Sequence, residues 1–278
     1  MNKVWLITGA GSGIGAGIAK AALRAGDCVV ASARNLDKLR NALRDVAGDN
    51  LALVQLDVTN EMQAKKAIDE AVKRFGRVDV LVNNAGYSLL GNFEELTMQD
   101  IERQLATNLF GVMHVLRAAL PVMRRQRSGH IINISSCAGA MAFKHCGAYS
   151  ATKFAVEGLS LSLAQEVEQF GIKVTIVEPG FFRTDFLDER NVRYTESSIA
   201  DYAHEGSSQQ MWSGYNGAQL GDPDKLGEAL VKLALLPTPP QIFVAGSDAL
   251  AMVASAVEAR LSAVHAHEEL SRSTDGSF

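Results

Sequence analysis

The chain is predicted to fold as an α/β domain in which one parallel sheet, doubly wound and of about seven strands, carries helices on both faces. Three observations predict it. Short apolar runs alternate with longer amphipathic stretches along most of the sequence. A glycine-rich turn lies between the first apolar run and an alanine-rich stretch. The residues that carry chemistry follow strands, and such sheets bind ligands outside the carboxyl ends of their strands.

In chain order, strands are expected at Val4–Thr8, Cys28–Ser32, Leu51–Leu56, Val78–Val82, His130–Ile134, Lys173–Val177 and Gln241–Val244. Between them, Leu36, Leu39, Leu43 and Val46 keep a helical spacing, as do Ala64, Ala67, Ile68, Ala71, Val72 and Phe75. The longest break in the pattern, residues 181–222, is polar but holds Phe181, Phe182, Phe186, Tyr194, Met211, Trp212 and Tyr215. A segment of that length and aromatic content reads as a lid. Residues 1–263 are expected to form one domain, and 264–278 a polar, frayed tail.

Composition narrows the function. Hydrophobic content is 47% and charged content 21%, with 27 basic against 31 acidic residues for a net charge of -4. With no basic block, nucleic acid is not an expected partner. The first apolar run is too short for a signal peptide or a span, so a cytoplasmic protein away from membranes is expected. Cys28, Cys137 and Cys146 lack metal-ligand spacing, so no metal is expected, and all three read as reduced thiols. Cys137 and Cys146 flank the candidate catalytic residues, which opens the possibility of inhibition by thiol reagents.

Thr8-Gly9-Ala10-Gly11-Ser12-Gly13-Ile14-Gly15 joins the first strand to the first helix. Glycines allow a tight turn and a close approach of backbone to a pyrophosphate, which the helix N-terminus favours. Gly9, Gly13 and Gly15 make a G-x-x-x-G-x-G spacing. At the end of the second strand, where a carboxylate selects NAD, stands Ala33, followed by Arg34. A guanidinium there suits the 2′-phosphate of NADP(H), which is therefore expected over NAD(H). Asn35 is a plausible cap for the helix that follows. Asp57, after the third strand and before Val58, either accepts from the adenine amino group or caps the next turn.

Tyr149 and Lys153 are four residues apart, so in a helix phenol and ammonium reach the same space. A fixed cation favours the phenolate and brings its pKa toward the working range. Ser136, thirteen positions before Tyr149, offers a hydroxyl to an oxygen held in front of that phenol.

In this order the motifs resemble the short-chain dehydrogenase/reductase family over about residues 3–245, and its 17β-hydroxysteroid-dehydrogenase-like branch at Val177–Thr184. They are Thr8–Gly15, Asn83-Asn84-Ala85-Gly86, Ser136, Tyr149-x-x-x-Lys153, and Pro179-Gly180 with Thr184. The resemblance implies a Rossmann-type sheet and hydride transfer between NADP(H) and a carbonyl or alcohol. It implies Tyr149 as general acid and base, Lys153 on the nicotinamide ribose, Ser136 on the substrate oxygen, and Asn108 in a water path from Lys153. It further implies cofactor contacts at Gly9, Ser12, Gly13, Ile14 and Gly15, at Asp57 and Val58, and at Asn83, Asn84, Ala85 and Gly86. Pro179, Gly180 and Thr184 would meet the carboxamide.

An apolar or aryl substrate is expected from Tyr87, Leu89, Leu90, Met141, Phe143, His145 and the lid aromatics, with His145 and Phe181 as candidate substrate contacts. A homo-tetramer or homo-dimer is implied, through the helices after Met98 and Tyr149. Two other functions compete. One is an NADP(H)-sensing regulator with little turnover. The other is an epimerase or dehydratase that recycles its cofactor internally.

Overall fold

The computed structural model describes residues 2–276 apart from 189–191 and 197, and not the side chains of 203–205. The expected sheet forms from seven parallel strands in the order β3-β2-β1-β4-β6-β7-β9. These are β1 (Val4–Ile7), β2 (Cys28–Ala33), β3 (Leu51–Gln55), β4 (Val80–Asn83), β6 (Gly129–Ile134), β7 (Ile172–Pro179) and β9 (Ile242–Ala245). Two short strands, β5 (Leu89–Leu90) and β8 (Arg193–Tyr194), pair with each other away from it. The chain runs outward from β1 to β3, then restarts at β4 on the other side of β1. That reversal opens a crevice at the carboxyl ends of β1 and β4.

The strands are near-continuous apolar runs because both faces are covered. Along them the side chains alternate. Leu6, Leu81 and Ile131 join the core beneath α3 (Glu61–Phe75), α5 (Gly111–Gln126) and α7 (Gly147–Val167). Trp5, Ile7, Val82 and Ile132 join the opposite core, beneath α1 (Gly13–Arg24), α2 (Leu36–Leu43) and α9 (Pro223–Ala234). Helices α1 and α9 touch through backbone: a Cβ on Gly17 would strike the Pro223 carbonyl, and one on Gly227 the Gly17 carbonyl.

Helix starts follow their caps. Asn35, Asn60 and Asp222 accept amide hydrogens from the first turns of α2, α3 and α9, and Thr97 does so for α4 (Met98–Leu105). β4 begins at Val80 rather than Val78, because the Gln126 side-chain amide takes over both backbone groups of Val78, at 3.0 and 2.8 Å. Between α4 and α5 the helix widens into a π turn, Ala106–Phe110.

The lid is structured among the described residues. It contains a turn at Asp185–Leu187, strand β8, a 3₁₀ segment at Ala200–Glu205 and helix α8 (Ser208–Ser213). Past β9 the chain is helical through α10 (Ser247–Ala266) and α11 (Glu268–Arg272), where fraying was expected from residue 264; α6 (Cys137–Ala140) is a single turn after β6. By length and composition alone, Met98–Gln126 and Ser247–Ala266 could cross a bilayer. The first is the helix pair packed on the sheet.

His130, 7% exposed at the start of β6, is held neutral. Thr175 Oγ1 donates its hydrogen to the Pro240 carbonyl at 2.7 Å, so at 2.9 Å it accepts from His130 Nε2. Burial, with a smaller contribution from Lys3, lowers the imidazole from 6.5 to about 4. The unfolded chain therefore binds more protons between these values. Stability present above pH ~6.5 is lost as pH falls toward ~4, by up to about 3 kcal/mol. Urea unfolding across that range should show the loss, and His130→Gln should flatten it.

Candidate active site

The turn after β1 is shaped by contacts that only glycine permits. Gly9 has φ +67°, and a Cβ there would come within 2.9 Å of Ala85 Cα. Gly13 has φ +55° and lies against Thr184, its Cβ position 3.2 Å from the threonine side chain. Gly15 is covered by the Asn84 side chain and the Gly9 carbonyl, so it lets α1 seat under the turn and does not itself line the cleft. Ser12 caps α1 in extended geometry but makes no side-chain cap bond, and the first turn carries no acid. Gly13 and Ile14, the first residues of α1, line the cleft, and a helix start without an acidic cap or first turn is suited to receive phosphate.

Thr8 and Asn84 fasten this turn to the one after β4. Thr8 Oγ1 accepts from Asn84 N at 2.9 Å and Ala85 N at 3.1 Å. Asn84 Nδ2 donates to the carbonyls of Thr8 and Gly9, at 2.9 and 3.1 Å. Asn84, Ala85 and Gly86 line the cleft, whereas Asn83 points beneath it and donates to Asn133 Oδ1 at 2.8 Å. The expectation of a cofactor contact at Asn83 is corrected on that ground, by the strand alternation that turns it away.

The cleft is continuous, about 720 Å³, and runs from this turn to the lid. Ser12, Gly13, Ile14, Arg34, Asp57 and Val58 line its nucleotide end, together with Lys38, which the sequence reading did not single out. Its position on the first turn of α2 depends on Asn35, whose side chain accepts from Lys38 N at 2.9 Å. Asp57 holds its own turn, Oδ1 accepting from Thr59 N at 3.0 Å and Thr59 Oγ1 at 2.7 Å. Asp57 thus caps its turn through Oδ1 and also lines the cleft. A glycine cradle, an uncapped helix start and a cation after β2 suit a dinucleotide.

Across the crevice, Ser136 caps α6, its Oγ accepting from Ala138 N at 3.1 Å, and it lines the same cleft wall as Tyr149. Tyr149 and Lys153 project from one face of α7, with Nζ 5.6 Å from the centre of the tyrosine ring. Lys153 Nζ donates to the Ile134 carbonyl at 2.9 Å. Phe186 of the lid lies over Tyr149 at 5.9 Å between ring centres. The electrostatics differ from expectation: burial dominates and pushes the phenol above its usual value, with the Ser136 hydroxyl opposing. Burial also lowers the Lys153 amine to about 8, against the pull of Glu157.

Asn108 sits in the π turn behind Tyr87, accepting from Tyr87 N at 3.1 Å and donating to Tyr87 O at 2.9 Å and Thr152 Oγ1 at 3.3 Å. The π turn spares the backbone of this stretch a regular ladder, a feature common at functional sites. Asn108 does not line the cleft. Pro179, Gly180, Phe181 and Thr184 do, on the lid side, where Phe181 N donates to Asp248 Oδ2 at 2.7 Å.

The apolar end is built by Leu90, Phe143, Phe181, Leu187 and Trp212. Phe143 meets Phe181 and Trp212 edge-on at 6.2 and 5.9 Å, and Phe181 stacks on Tyr215 at 5.2 Å. His145, Leu89 and Met141 do not line this cleft. His145 has φ +63° and its carbonyl accepts from Gly91 N at 2.9 Å, so the turn carries it past the wall. Cys137 and Cys146 line the cleft, but burial pushes both thiols up, Cys146 to about 12. They are protonated at neutral pH and poor nucleophiles, which removes the reason to expect easy inhibition by thiol reagents. Among the described residues no group of three or more His, Cys, Asp or Glu side chains could hold a metal.

The short chain dehydrogenase family model matches residues 3–195. An oxidoreductase of Botryotinia fuckeliana, BOA17, is 37% identical over 258 residues, spanning 93% of this chain and 94% of that protein. A 3-ketodihydrosphingosine reductase of Bacteroides thetaiotaomicron is 38% identical over 242 residues, spanning 86% of each. The crystal structure of a short-chain dehydrogenase from Streptomyces avermitilis superimposes with a TM-score of 0.89 at 37% identity, covering 99% of both chains. With a glycine-cradled cleft, Ser136, Tyr149 and Lys153 on its wall and a family match over most of its length, the chain belongs to the short-chain dehydrogenase family of oxidoreductases.

Proposed function

We propose that the protein is an NADP(H)-dependent carbonyl reductase or alcohol dehydrogenase acting on an apolar or aromatic substrate, with Tyr149 as its general acid and base. The observation that carries this reading is one cleft with Ser136, Tyr149 and Lys153 on its wall and the Gly9–Gly15 turn at its end. The nicotinamide, when bound, supplies or accepts the hydride. Ser136 Oγ orients the substrate oxygen, and the Tyr149 phenol hands it a proton. Because burial keeps that phenol protonated, the donor is loaded at neutral pH, which suits carbonyl reduction. Lys153 holds its charge beside the phenol, and Asn108 maintains the way to solvent behind it.

Cofactor preference rests on Arg34 and Lys38 at the nucleotide end and on Ala33, which leaves no carboxylate at the end of β2. Substrate preference rests on the Phe143–Phe181–Trp212 wall. The similarity to a reductase named for a long-chain ketone points the same way. Exposed Phe110 and Phe154, on the helices after Met98 and Tyr149, support a homo-oligomer built through that face. A nucleotide-sensing regulator would not need Ser136, Tyr149 and Lys153 together on the cleft wall. The cytoplasm, where reduced thiols and NADPH coexist, is the proposed compartment.

Tyr149→Phe should lower kcat by about 10²–10⁴-fold while NADPH affinity, read by fluorescence titration, stays near wild type. Residual activity close to wild type would remove the phenol from the proton step. Arg34→Ala should weaken NADPH binding by about 1.5–3 kcal/mol and leave NADH nearly unchanged. An equal loss for both cofactors would sink the 2′-phosphate assignment.

A further inference from the structure

Behind Lys153 lies a pair of acids that the reaction as described does not use. Glu157 follows Lys153 by four residues on α7, so the two side chains share a face. Glu157 is 9% exposed, and Glu178, from β7, is 2% exposed. Each carboxyl shifts the other's proton affinity, and Glu178 Oε2 is buried with no hydrogen-bond partner. Two ionised carboxylates are acceptors only, so one proton held between them would give that buried oxygen its partner. Ser135 Oγ donates to Glu157 Oε1 at 2.7 Å. Gly139 closes the site from α6, where a Cβ would collide with both Glu157 Oε1 and Ser135 Oγ. Four elements therefore converge on one buried acid pair, beside the strand end that carries Ser136.

We propose that Glu157 and Glu178 are positioning residues: they share one proton, keep Lys153 in its ammonium form, and hold through Ser135 the turn that presents Ser136. The proposal rests on the role given above to Lys153. Burial raises both carboxyls, Glu178 to about 7 with the Glu157 charge adding to the rise. Lys153, lowered to about 8 by burial, is pulled back up by Glu157. As pH rises through neutrality the pair releases its proton to solvent and gains a second negative charge. That charge arrives just before Lys153 would lose its own. The titratable group that acts on the pair from outside it is Lys153, one turn before Glu157 on α7.

The test is a carbon NMR titration of the cofactor-free protein, labelled at lysine Cε and glutamate Cδ. The Lys153 signal is identified by its loss in Lys153→Arg. In the wild type, one glutamate should titrate near neutral pH, apart from the rest. Glu157→Gln should lower the Lys153 midpoint by about one pH unit or more and remove the near-neutral carboxyl midpoint. Glu178→Gln should also remove that midpoint but leave Lys153 much closer to wild type. The alkaline limb of NADPH oxidation should move to lower pH in Glu157→Gln alone.

A wild type with no glutamate midpoint above about 6 would overturn the shared proton without any variant having to fold. An unmoved Lys153 midpoint in Glu157→Gln would overturn the electrostatic link. Absence of NADPH oxidation by the wild type, with the midpoints as expected, would instead count against the oxidoreductase reading of the cleft.

Discussion

The structure depends on the close approach of two backbone turns, the one after β1 and the one after β4. Gly9 lies so near Ala85 that no side chain fits between them. Thr8 and Asn84 lock the approach with four hydrogen bonds across the gap. Because β1 and β4 are neighbours in the sheet but distant in the chain, this contact marks where the winding reverses. With the turns drawn together, α1 starts at the cleft, which Gly13 and Ile14 line. A bulkier residue at Gly9 or Gly15 would push the turns apart and move that helix start away.

The opposite wall is organised by α7, an apolar helix with a polar seam against the sheet. Tyr149, Lys153, Glu157 and Ser160 follow one another along the helix at spacings of three or four residues, and each is buried. Burial is expensive for such groups unless each finds a partner. Lys153 has the Ile134 carbonyl, Glu157 has Ser135, and Ser160 takes a hydrogen from Asn133 at 2.8 Å. These partners all come from the end of β6 or just beyond it. The helix that carries the phenol is thus registered to the strand that leads to Ser136, and that register brings both residues to one cleft wall. The same burial sets the chemistry, since it holds the phenol protonated and weakens the hold of Lys153 on its proton.

The lid adds the apolar part. Its ordered core is the cluster of Leu90, Cys146, Leu187, Val192 and Trp212, with Phe143, Phe181 and Tyr194 packed against it. Phe186 reaches over Tyr149, so one segment both lines the apolar end and packs on the Tyr149 ring. Asp248, from the helix after the last strand, anchors the lid's first residue through Phe181 N. The lid is therefore tied to the sheet edge at its root.

The seven strands, the glycine turn, and Ser136 with Tyr149 and Lys153 were legible in the sequence because each is local. A buried parallel strand needs a continuous apolar run, a tight turn needs glycine, and residues i and i+4 of a helix share a face. The tertiary structure alone decided what depends on partners distant along the chain. Gln126 displaced the start of β4, strand alternation sent Asn83 beneath the cleft, and a left-handed residue carried His145 past its wall. The pairing of Glu157 with Glu178 joins a helix to a strand, and no spacing announces it. Burial, which sets the proton affinities of Tyr149, Lys153 and both acids, is a property of the packed molecule and not of any segment.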